Sequence, residues 1–289
     1  MGLQIKEIIS VAENILRESG DADYKVDAEM LLSHAIKYDP QKIFMNWAKE
    51  VDDDHAEIFF AMVQKRAEGT PTQYLTNEQD FKGRRFYVDE NVLIPRPETE
   101  LLTDEVSAYL KDNKSAKTAL DLGTGSGVIA ISLAKKFPSL KLTASDISEG
   151  ALAVAERNAS RIGVKGQIRF TRSDVFDGFK TGFTGSKWDL IVSNPPYIRT
   201  SVLPTLQREI YEHEPITALD GGEDGLDFYR RIIDGAPTFL RKTGAVFFEI
   251  GYDQAHDVTT LFRENGNYVR VAVTPDIAGH DRVISARMK

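Results

Sequence analysis

The chain has 289 residues, of which 42% are hydrophobic and 28% are charged, and it contains no cysteine. This length and composition are typical of a soluble globular protein with more than one domain, and they exclude disulfides and thiolate metal sites. A formal net charge of −8 argues against a protein that follows a phosphate backbone, and five histidines without metal-ligand spacing argue against a metal site.

The N-terminal residues do not resemble a targeting segment. Charges at Lys6, Glu7 and Glu13 interrupt them before an apolar stretch of signal-peptide length can form. No run in the chain approaches the roughly 20 apolar residues that a membrane helix needs. We therefore expect a cytoplasmic protein without membrane contact, and a monomer as the default oligomeric state.

Residues 1–75 carry apolar side chains at helical spacing, which predicts a small helical bundle as the N-terminal domain. The fourth helix is expected to begin at Asp54, because Glu57 follows it in the spacing of a capping box. The helical stripes run through residues 5–16, 28–36, 43–47 and 58–63.

Residues 76–100 change to a different pattern. The stretch "RRFYVDENVLIPRPETE" predicts a strand, a turn at Asp89-Glu90-Asn91, a second short strand and a proline-marked helix start. We interpret this segment as a β-hairpin linker between the helical bundle and a catalytic domain that occupies residues 101–289.

Strands and helices alternate from residue 118 onward. The first five strands have the apolar character of a parallel sheet with helical crossovers, which predicts a doubly wound α/β domain. The last two are joined by a short connection without a helix, and we expect them to pair antiparallel. The predicted strands span residues 118–122, 141–146, 168–174, 188–193, 244–250, 268–275 and 282–288.

The first strand of this domain leads into a glycine-rich loop and then directly into an apolar helix. The loop reads Gly123-Thr124-Gly125-Ser126-Gly127. Its GxGxG spacing differs from that of dinucleotide sites and P-loops, and no lysine follows to hold phosphates. The loop is either a tight strand–helix turn or a binding loop, and as a binding loop it fits a nucleoside ligand without phosphates.

Two acidic residues follow the next strands of the sheet. Asp146 lies about 20 residues after the glycines, where a carboxylate can accept hydrogen bonds from both hydroxyls of a ribose. The alternative is that Asp146 caps the following helix, a role for which Ser148 is also a candidate. Asp174 follows the third strand, where its carboxylate can accept a hydrogen bond from an adenine amino group while Val175 packs on the adenine ring. The alternative for Asp174 is an ordinary acid in a surface loop.

The fourth strand ends at Asn194-Pro195-Pro196-Tyr197. Consecutive prolines fix the backbone and supply no N–H, so this turn offers acceptors and no donors. The Asn194 side-chain oxygen and the Pro195 carbonyl suit a planar NH₂ group held for attack, and Tyr197 can stack on that group.

Together these features indicate S-adenosyl-L-methionine as cofactor and methyl transfer to nitrogen, with S-adenosyl-L-homocysteine as the product. An amide nitrogen is a poor nucleophile because its lone pair is delocalised into the carbonyl. Acceptors that bind both N–H bonds raise its electron density and aim the lone pair at the methyl group. Positioning and preorganised dipoles then provide most of the catalytic effect, and no metal is required.

The motifs "LDLGTGSG", "SNPPY" and "LIPRPETE" resemble those of the HemK-type protein-(glutamine-N5) methyltransferases, and the similarity extends over nearly the whole chain. This resemblance implies a seven-stranded, Rossmann-like methyltransferase domain, preceded by a helical domain that helps to hold a class I peptide-chain release factor. The substrate would be the glutamine of the factor's Gly-Gly-Gln motif.

The resemblance also implies the roles of individual residues. The loop 123–127, Asp146, Asp174, Val175 and Asn194 would line the cofactor, while Asn194 to Tyr197 would bind the substrate glutamine. Arg96 and Glu98 would lie near the site without an assigned role.

Two other functions are open to this chain. An adenine-N6 methyltransferase acting on DNA or RNA would present a similar NH₂ group to the same acceptors, but the acidic charge and the helical domain argue against nucleic acid as a partner. A non-catalytic cofactor-binding scaffold would have no use for the Asn-Pro-Pro-Tyr turn. The stretch 198–226 is too long for a plain connection and is a candidate substrate lid.

Overall fold

The computed structural model describes residues 3–180 and 187–289. Part of the glycine-rich connection "GFKTGFTGSKW" at residues 178–188 therefore lies outside the described residues. The chain divides into two compact units, one formed by Met1–Glu78 with Gln207–His213 and the other by Gln79–Leu206 with Glu214–Lys289.

The helices are α1 (Ile5–Glu18), α2 (Tyr24–Ile36), α3 (Pro40–Met45), α4 (Asp53–Ala67), α5 (Thr72–Thr76), α6 (Pro97–Asp112), α7 (Val128–Lys136), α8 (Glu149–Ile162), α9 (Asp177–Lys180), α10 (Arg208–His213), α11 (Asp227–Phe239) and α12 (Ala255–Asn265). The strands are β1 (Gln79–Phe81), β2 (Arg84–Phe86), β3 (Thr118–Leu122), β4 (Lys141–Asp146), β5 (Ile168–Arg172), β6 (Trp188–Ser193), β7 (Leu240–Glu249), β8 (Tyr268–Pro275) and β9 (Asp281–Met288). Short 3₁₀ turns occur at Lys165–Gln167, Thr200–Thr205 and Ile216–Ala218.

The first unit is helical, as predicted, and its core forms where α1, α2 and α4 pack together. The predicted start of α4 was two residues late. Asp52 is the N-cap, since its backbone is extended and its side chain accepts from the His55 N–H, whereas Asp54 lies within the first turn. Helix α5 was missed because its five residues are too few to show a helical period.

A buried arginine of the first unit forms ion pairs with three acidic residues of the same unit. The Arg66 side chain is only 9% exposed, and it pairs with Asp27 at 2.5 Å, with Asp21 at 3.0 Å and with Glu209 of α10 at 2.6 Å. Burial raises the pKa of Asp27 to about 6, although the bond from Arg66 opposes this shift. Removing the arginine would therefore leave carboxylates in a site that already disfavours their charge.

The second unit contains a seven-stranded sheet in the order β5-β4-β3-β6-β7-β9-β8. The first five of these strands in chain order run parallel, and β9 pairs antiparallel with both β7 and β8, as predicted. Strand β5 ends at Arg172, two residues earlier than expected, and β7 begins at Leu240, four residues earlier than expected. Apolar residues on both faces of the sheet form the core, which confirms the doubly wound fold.

The β-hairpin lies earlier in the chain than predicted. Strands β1 and β2 pair antiparallel across Lys82 and Gly83, which both have positive φ as a tight two-residue turn requires. At the predicted position, the Asp89 carbonyl accepts from the Val92 N–H, but residues 93–96, which the structure describes, form no strand. The hairpin was misplaced because Lys82-Gly83 is a weaker turn signal than Asp89-Glu90-Asn91, which is followed by apolar residues.

The register of the parallel strands decides where the loops meet. Leu122 pairs with Ser145 on one side and with Ser193 on the other, and Ser193 pairs in turn with Phe248. The residues that follow these four positions therefore emerge side by side at the carboxyl edge of the sheet.

We predict that Arg66→Met lowers the free energy of unfolding of the helical unit by about 3 kcal/mol, because it leaves buried carboxylates without a partner. Urea denaturation followed by far-ultraviolet circular dichroism measures the loss. The matched control is Arg17→Met, which removes an exposed arginine bonded to Asn14 and should change stability by less than about 0.5 kcal/mol. Equal losses in the two variants would contradict the prediction.

Candidate active site

A cavity of about 400 Å³ opens at the carboxyl edge of the sheet. It is bounded by the loops after β3, β4, β5 and β6, by the segment before α6, by the segment before α11 and by α11 itself. The residues predicted to form the site that line this cavity are Gly123, Thr124, Gly125, Ser126, Asp146, Asp174, Val175, Asn194, Pro195 and Pro196. Gly127 and Tyr197 are not among its lining residues.

The glycines of the loop after β3 serve two purposes. Gly123 and Gly125 have φ values of +67° and +53°, and a Cβ atom at either position would meet nothing within 4 Å. They therefore permit the left-handed turn and leave open space at the cavity. Gly127 instead packs closely, because a Cβ there would lie 2.8 Å from Ile131 Cδ1 and 3.1 Å from Ala155 Cβ. Its role is to seat α7 against α8.

Asp146 braces the glycine loop from the next strand. Its Oδ2 accepts from the Gly125 N–H at 2.9 Å, and its Oδ1 accepts from the Ser148 N–H at 3.0 Å. The helix cap itself is Ser148, whose hydroxyl accepts from the Ala151 N–H. Burial raises the pKa of Asp146, and these backbone bonds oppose the shift. Its carboxylate lines the cavity, and ribose binding by Asp146 stays a prediction.

Asp174 and Val175 lie at one end of the cavity. Asp174 is paired with Arg231 of α11 at 2.7 Å, with both side chains substantially exposed. Val175 has a φ of +49°, which is uncommon for a β-branched residue. The Ser173 hydroxyl supports this conformation by donating to the Val175 carbonyl and accepting from the Gly178 N–H. Contact with an adenine ring stays a prediction for these residues.

The turn after β6 presents acceptors to the cavity. The Asn194 side-chain NH₂ donates a hydrogen bond to Thr99 Oγ1 at 3.1 Å. The oxygen of the same amide, Asn194 Oδ1, is therefore on the side away from Thr99. Within residues 3–180 and 187–289, no group donates a hydrogen bond to Asn194 Oδ1 or to the Pro195 carbonyl.

Tyr197 follows the two prolines and is not among the residues that line the cavity. It is half-buried against the apolar core beneath the sheet edge, and burial raises the pKa of its phenol well above the usual range. Its backbone carbonyl accepts from Gln254 Nε2 at 3.0 Å. Stacking of the Tyr197 ring on a substrate amide stays a prediction.

Sequence reasoning missed two buried acids that lie beneath these loops. Asp121 is fully buried, and its Oδ2 accepts from the Thr124 hydroxyl at 2.7 Å and from the Ala130 N–H at 3.2 Å. Glu249 is 1% exposed and accepts from the Thr99 hydroxyl at 2.7 Å. Burial raises the pKa of each carboxyl to about 7. The signal was an acidic residue at the end of an otherwise apolar strand, in "TALDL" and in "VFFEI".

The segment before α11 belongs to the stretch predicted as a candidate lid, but its contacts with the proline turn were not predicted. A Cβ at Gly221 would lie 2.7 Å from Tyr197 Cα, and one at Gly225 would lie 2.4 Å from the Tyr197 carbonyl oxygen. The buried side chain of Gln254 donates to the carbonyls of both Tyr197 and Gly225 and accepts from the Gly251 N–H. These contacts hold the backbone of the proline turn in place.

The two unassigned residues of the "RPETE" segment have distinct surroundings. Arg96 donates to Glu214 at 2.5 Å. The half-buried Glu98 lies near Glu249 and contributes to the raised pKa of that carboxyl. In the described part of the chain, no group of three or more metal-ligating side chains is found, and no helix is long and apolar enough to cross a membrane.

We predict that Asp121→Asn removes a pH-dependent loss of stability. The pKa of Asp121 is about 7 in the folded protein, against an ordinary value of 3.8 in the unfolded chain. The folded protein therefore binds more protons between these values, and the wild type loses stability as pH rises through them. The difference in free energy of unfolding between variant and wild type should grow in favour of the variant by about 2 kcal/mol from pH 5 to pH 8. Denaturant titrations at both pH values measure it, and identical pH dependence would refute it.

A second prediction uses two glycines with the same positive φ. Gly225 and Gly163 both have a φ of +78°, but only Gly225 is closely surrounded. Gly163→Ala should lower the free energy of unfolding by about 1 kcal/mol through backbone strain alone. Gly225→Ala should lower it by about 3 kcal/mol, because its Cβ also collides with the Tyr197 carbonyl. Equal losses in denaturant titrations would show that the close approach is unimportant.

The comparisons with known proteins agree with this geometry. Residues 98–213 match the family model "Methyltransferase small domain", and residues 7–76 match the "PrmC N-terminal domain". The catalytic domain of hMettl16, crystallised in complex with MAT2A 3'UTR hairpin 6, shares the fold with a TM-score of 0.55 and 15% identity, over 81% of this chain and 82% of that chain.

Curated relatives match almost from end to end. The release factor glutamine methyltransferase of Clostridium acetobutylicum is 36% identical, with 98% of each chain covered. The protein of the same name from Geobacter sulfurreducens is 38% identical over 98% of this chain and 96% of that protein. At this identity and coverage, the chain belongs to the family of release factor glutamine methyltransferases.

Proposed function

We propose that the protein transfers a methyl group from S-adenosyl-L-methionine to the side-chain amide nitrogen of the glutamine in the Gly-Gly-Gln motif of class I peptide-chain release factors. The observation that carries this proposal is the turn after β6, where the Asn194 oxygen and the Pro195 carbonyl stand without donors from the described residues, at a cavity bounded by glycines. The names of the curated relatives support the same substrate.

The cavity has the properties that an adenosine-type cofactor requires. Its volume of about 400 Å³ lies within the range of small-molecule sites, and its glycine loop leaves open space beside Gly123 and Gly125. We assign the ribose hydroxyls to Asp146 and the adenine to Asp174 and Val175. When bound, S-adenosyl-L-methionine supplies a methyl group on a positively charged sulfur, which is a good leaving group, and S-adenosyl-L-homocysteine is the product.

The residues of the turn act on the substrate nitrogen. A glutamine NH₂ has two N–H donors, and Asn194 Oδ1 and the Pro195 carbonyl are two acceptors on adjacent residues. Accepting from both N–H bonds raises electron density on the nitrogen and fixes the direction of its lone pair. Pro196 and Tyr197 keep the turn rigid, and the Gln254 side chain holds the Tyr197 carbonyl. No strong general base is needed, since the proton can leave to water after transfer.

The remaining parts of the chain have complementary roles in this proposal. The helical domain of residues 1–75 binds the release factor, and the protein works as a monomer in the cytoplasm without nucleic acid. The candidate lid at residues 198–226 contains Pro215–Asp220, of which five residues line the cavity. We assign to them the role of covering a bound glutamine.

We predict that Asn194→Ala abolishes methyl transfer while cofactor binding remains measurable, because the variant loses an acceptor for the substrate but leaves the glycine loop and Asp146 intact. Transfer rates with a purified release factor, together with calorimetric titration of S-adenosyl-L-homocysteine, measure the two effects separately. Equal loss of transfer and of cofactor binding would overturn the division of roles.

Mass-spectrometric mapping tests the substrate itself. The wild-type protein is offered isotopically labelled S-adenosyl-L-methionine with a class I release factor and, separately, with duplex DNA and with ribosomal RNA. One added methyl group on the Gly-Gly-Gln glutamine supports the proposal. Label in either nucleic acid and none in the factor would instead establish an adenine-N6 methyltransferase.

A further inference from the structure

We propose that Glu249, acting through the Thr99 hydroxyl, is the positioning residue that keeps the Asn194 side-chain oxygen turned toward the substrate amide. This inference rests on the proposed function, and it adds two residues, from β7 and α6, to the machinery of the turn. Thr99 lines the cavity, whereas Glu249 is not among its lining residues. Both act by removing the freedom of the Asn194 amide to rotate.

Three side chains form one hydrogen-bonded chain. The Asn194 NH₂ donates to Thr99 Oγ1 at 3.1 Å, and the Thr99 hydroxyl donates to Glu249 Oε2 at 2.7 Å. Burial raises the pKa of Glu249, and the Thr99 hydroxyl and the nearby Asn194 amide oppose this shift. Thr99 and Glu249 are 3% and 1% exposed, so water does not compete for these bonds.

The direction of this chain follows from the number of protons available. Above its pKa of about 7, the Glu249 carboxyl is ionised and only accepts hydrogen bonds, and a threonine hydroxyl has a single proton to donate. Because the Thr99 hydroxyl donates its one hydrogen bond to Glu249, it has only lone pairs left with which to accept a hydrogen bond from Asn194. The Asn194 side chain must then present its NH₂ group to Thr99, and its oxygen points the opposite way.

The reversed orientation is doubly unfavourable. It would place the Asn194 oxygen against the lone pairs of Thr99 and the carboxylate of Glu249, and it would present an NH₂ donor to the NH₂ group of the substrate. An asparagine alone has no preference between its two orientations, so the acid at the end of the chain supplies it. This gives the buried carboxyl group of Glu249 a function in a site that raises its pKa.

The neighbouring threonine of the same helix provides a matched control. Thr103 is also buried on α6, and its hydroxyl donates to the Thr99 backbone carbonyl within the helix. Thr103→Val therefore removes a buried hydroxyl from the same helix without breaking the chain to Asn194. Thr99→Ser keeps the hydroxyl of the chain and removes only a methyl group.

The test compares the variants Thr99→Val, Thr99→Ser and Thr103→Val by steady-state methyl transfer to a release factor. For Thr99→Val we expect a loss of kcat of about 100-fold, the size seen when one preorganised hydrogen-bonding group is removed from an active site. We expect KM for the factor and the Kd for S-adenosyl-L-homocysteine to change by less than about threefold, because Thr99 lines the cavity but valine has nearly the same shape as threonine. Thr99→Ser and Thr103→Val should both retain kcat within about threefold of the wild type.

The inference is overturned if Thr99→Val keeps its kcat, if Thr99→Ser fails to restore it, or if Thr103→Val loses as much. Hydrogen exchange of the Asn194 side-chain NH₂, followed by nuclear magnetic resonance on protein without substrate, gives a readout that does not depend on the reaction. We expect exchange about tenfold faster in Thr99→Val and in Glu249→Gln, and unchanged in Thr103→Val. Unchanged exchange in the first two variants overturns the inference. Failure of the wild type to methylate the factor would overturn only the proposed function.

Discussion

The alignment of four parallel strands is the constraint on which the site depends. Leu122, Ser145, Ser193 and Phe248 stand in register, so the residues that follow them meet at one edge of the sheet although they are far apart in the chain. Because side chains alternate between the faces of a strand, a shift of one residue in this register would turn the buried acids and the acceptors to the wrong faces. The close packing of the core on both sides of the sheet prevents such a shift.

The same edge carries carboxyl groups at a cost in stability. Asp121 and Glu249 lie in apolar surroundings that raise their pKa values, and neither is paired with a positively charged residue at hydrogen-bonding distance in the described part of the chain. Each accepts from a threonine hydroxyl of a loop or helix that bounds the cavity. The buried acids therefore hold lining residues in place through hydrogen bonds made on the side away from the cavity. The cavity surface itself includes glycine, proline and short polar side chains. Burying these carboxyl groups lowers the free energy of unfolding but makes the site more rigid.

The fold and the main motifs were predictable, because they depend on local signals. A strand followed by glycines or prolines is recognisable in a short window, and the parallel sheet brings such loops together by a general rule. The hairpin was misplaced because Lys82-Gly83 is a weak turn signal. The partnership of Thr99 with Glu249 was missed since 150 positions separate them. The close packing of Gly221 and Gly225 against the Tyr197 backbone was also missed, because it has no local pattern in the sequence.

The most direct measurement is a crystal structure of the protein with S-adenosyl-L-homocysteine and a peptide that contains the Gly-Gly-Gln motif. We expect the glutamine amide nitrogen to lie within hydrogen-bonding distance of both Asn194 Oδ1 and the Pro195 carbonyl, with the Asn194 NH₂ still bonded to Thr99. A glutamine whose nitrogen binds elsewhere, or whose carbonyl faces these acceptors, would contradict the view that the proline turn exists to hold an NH₂ group.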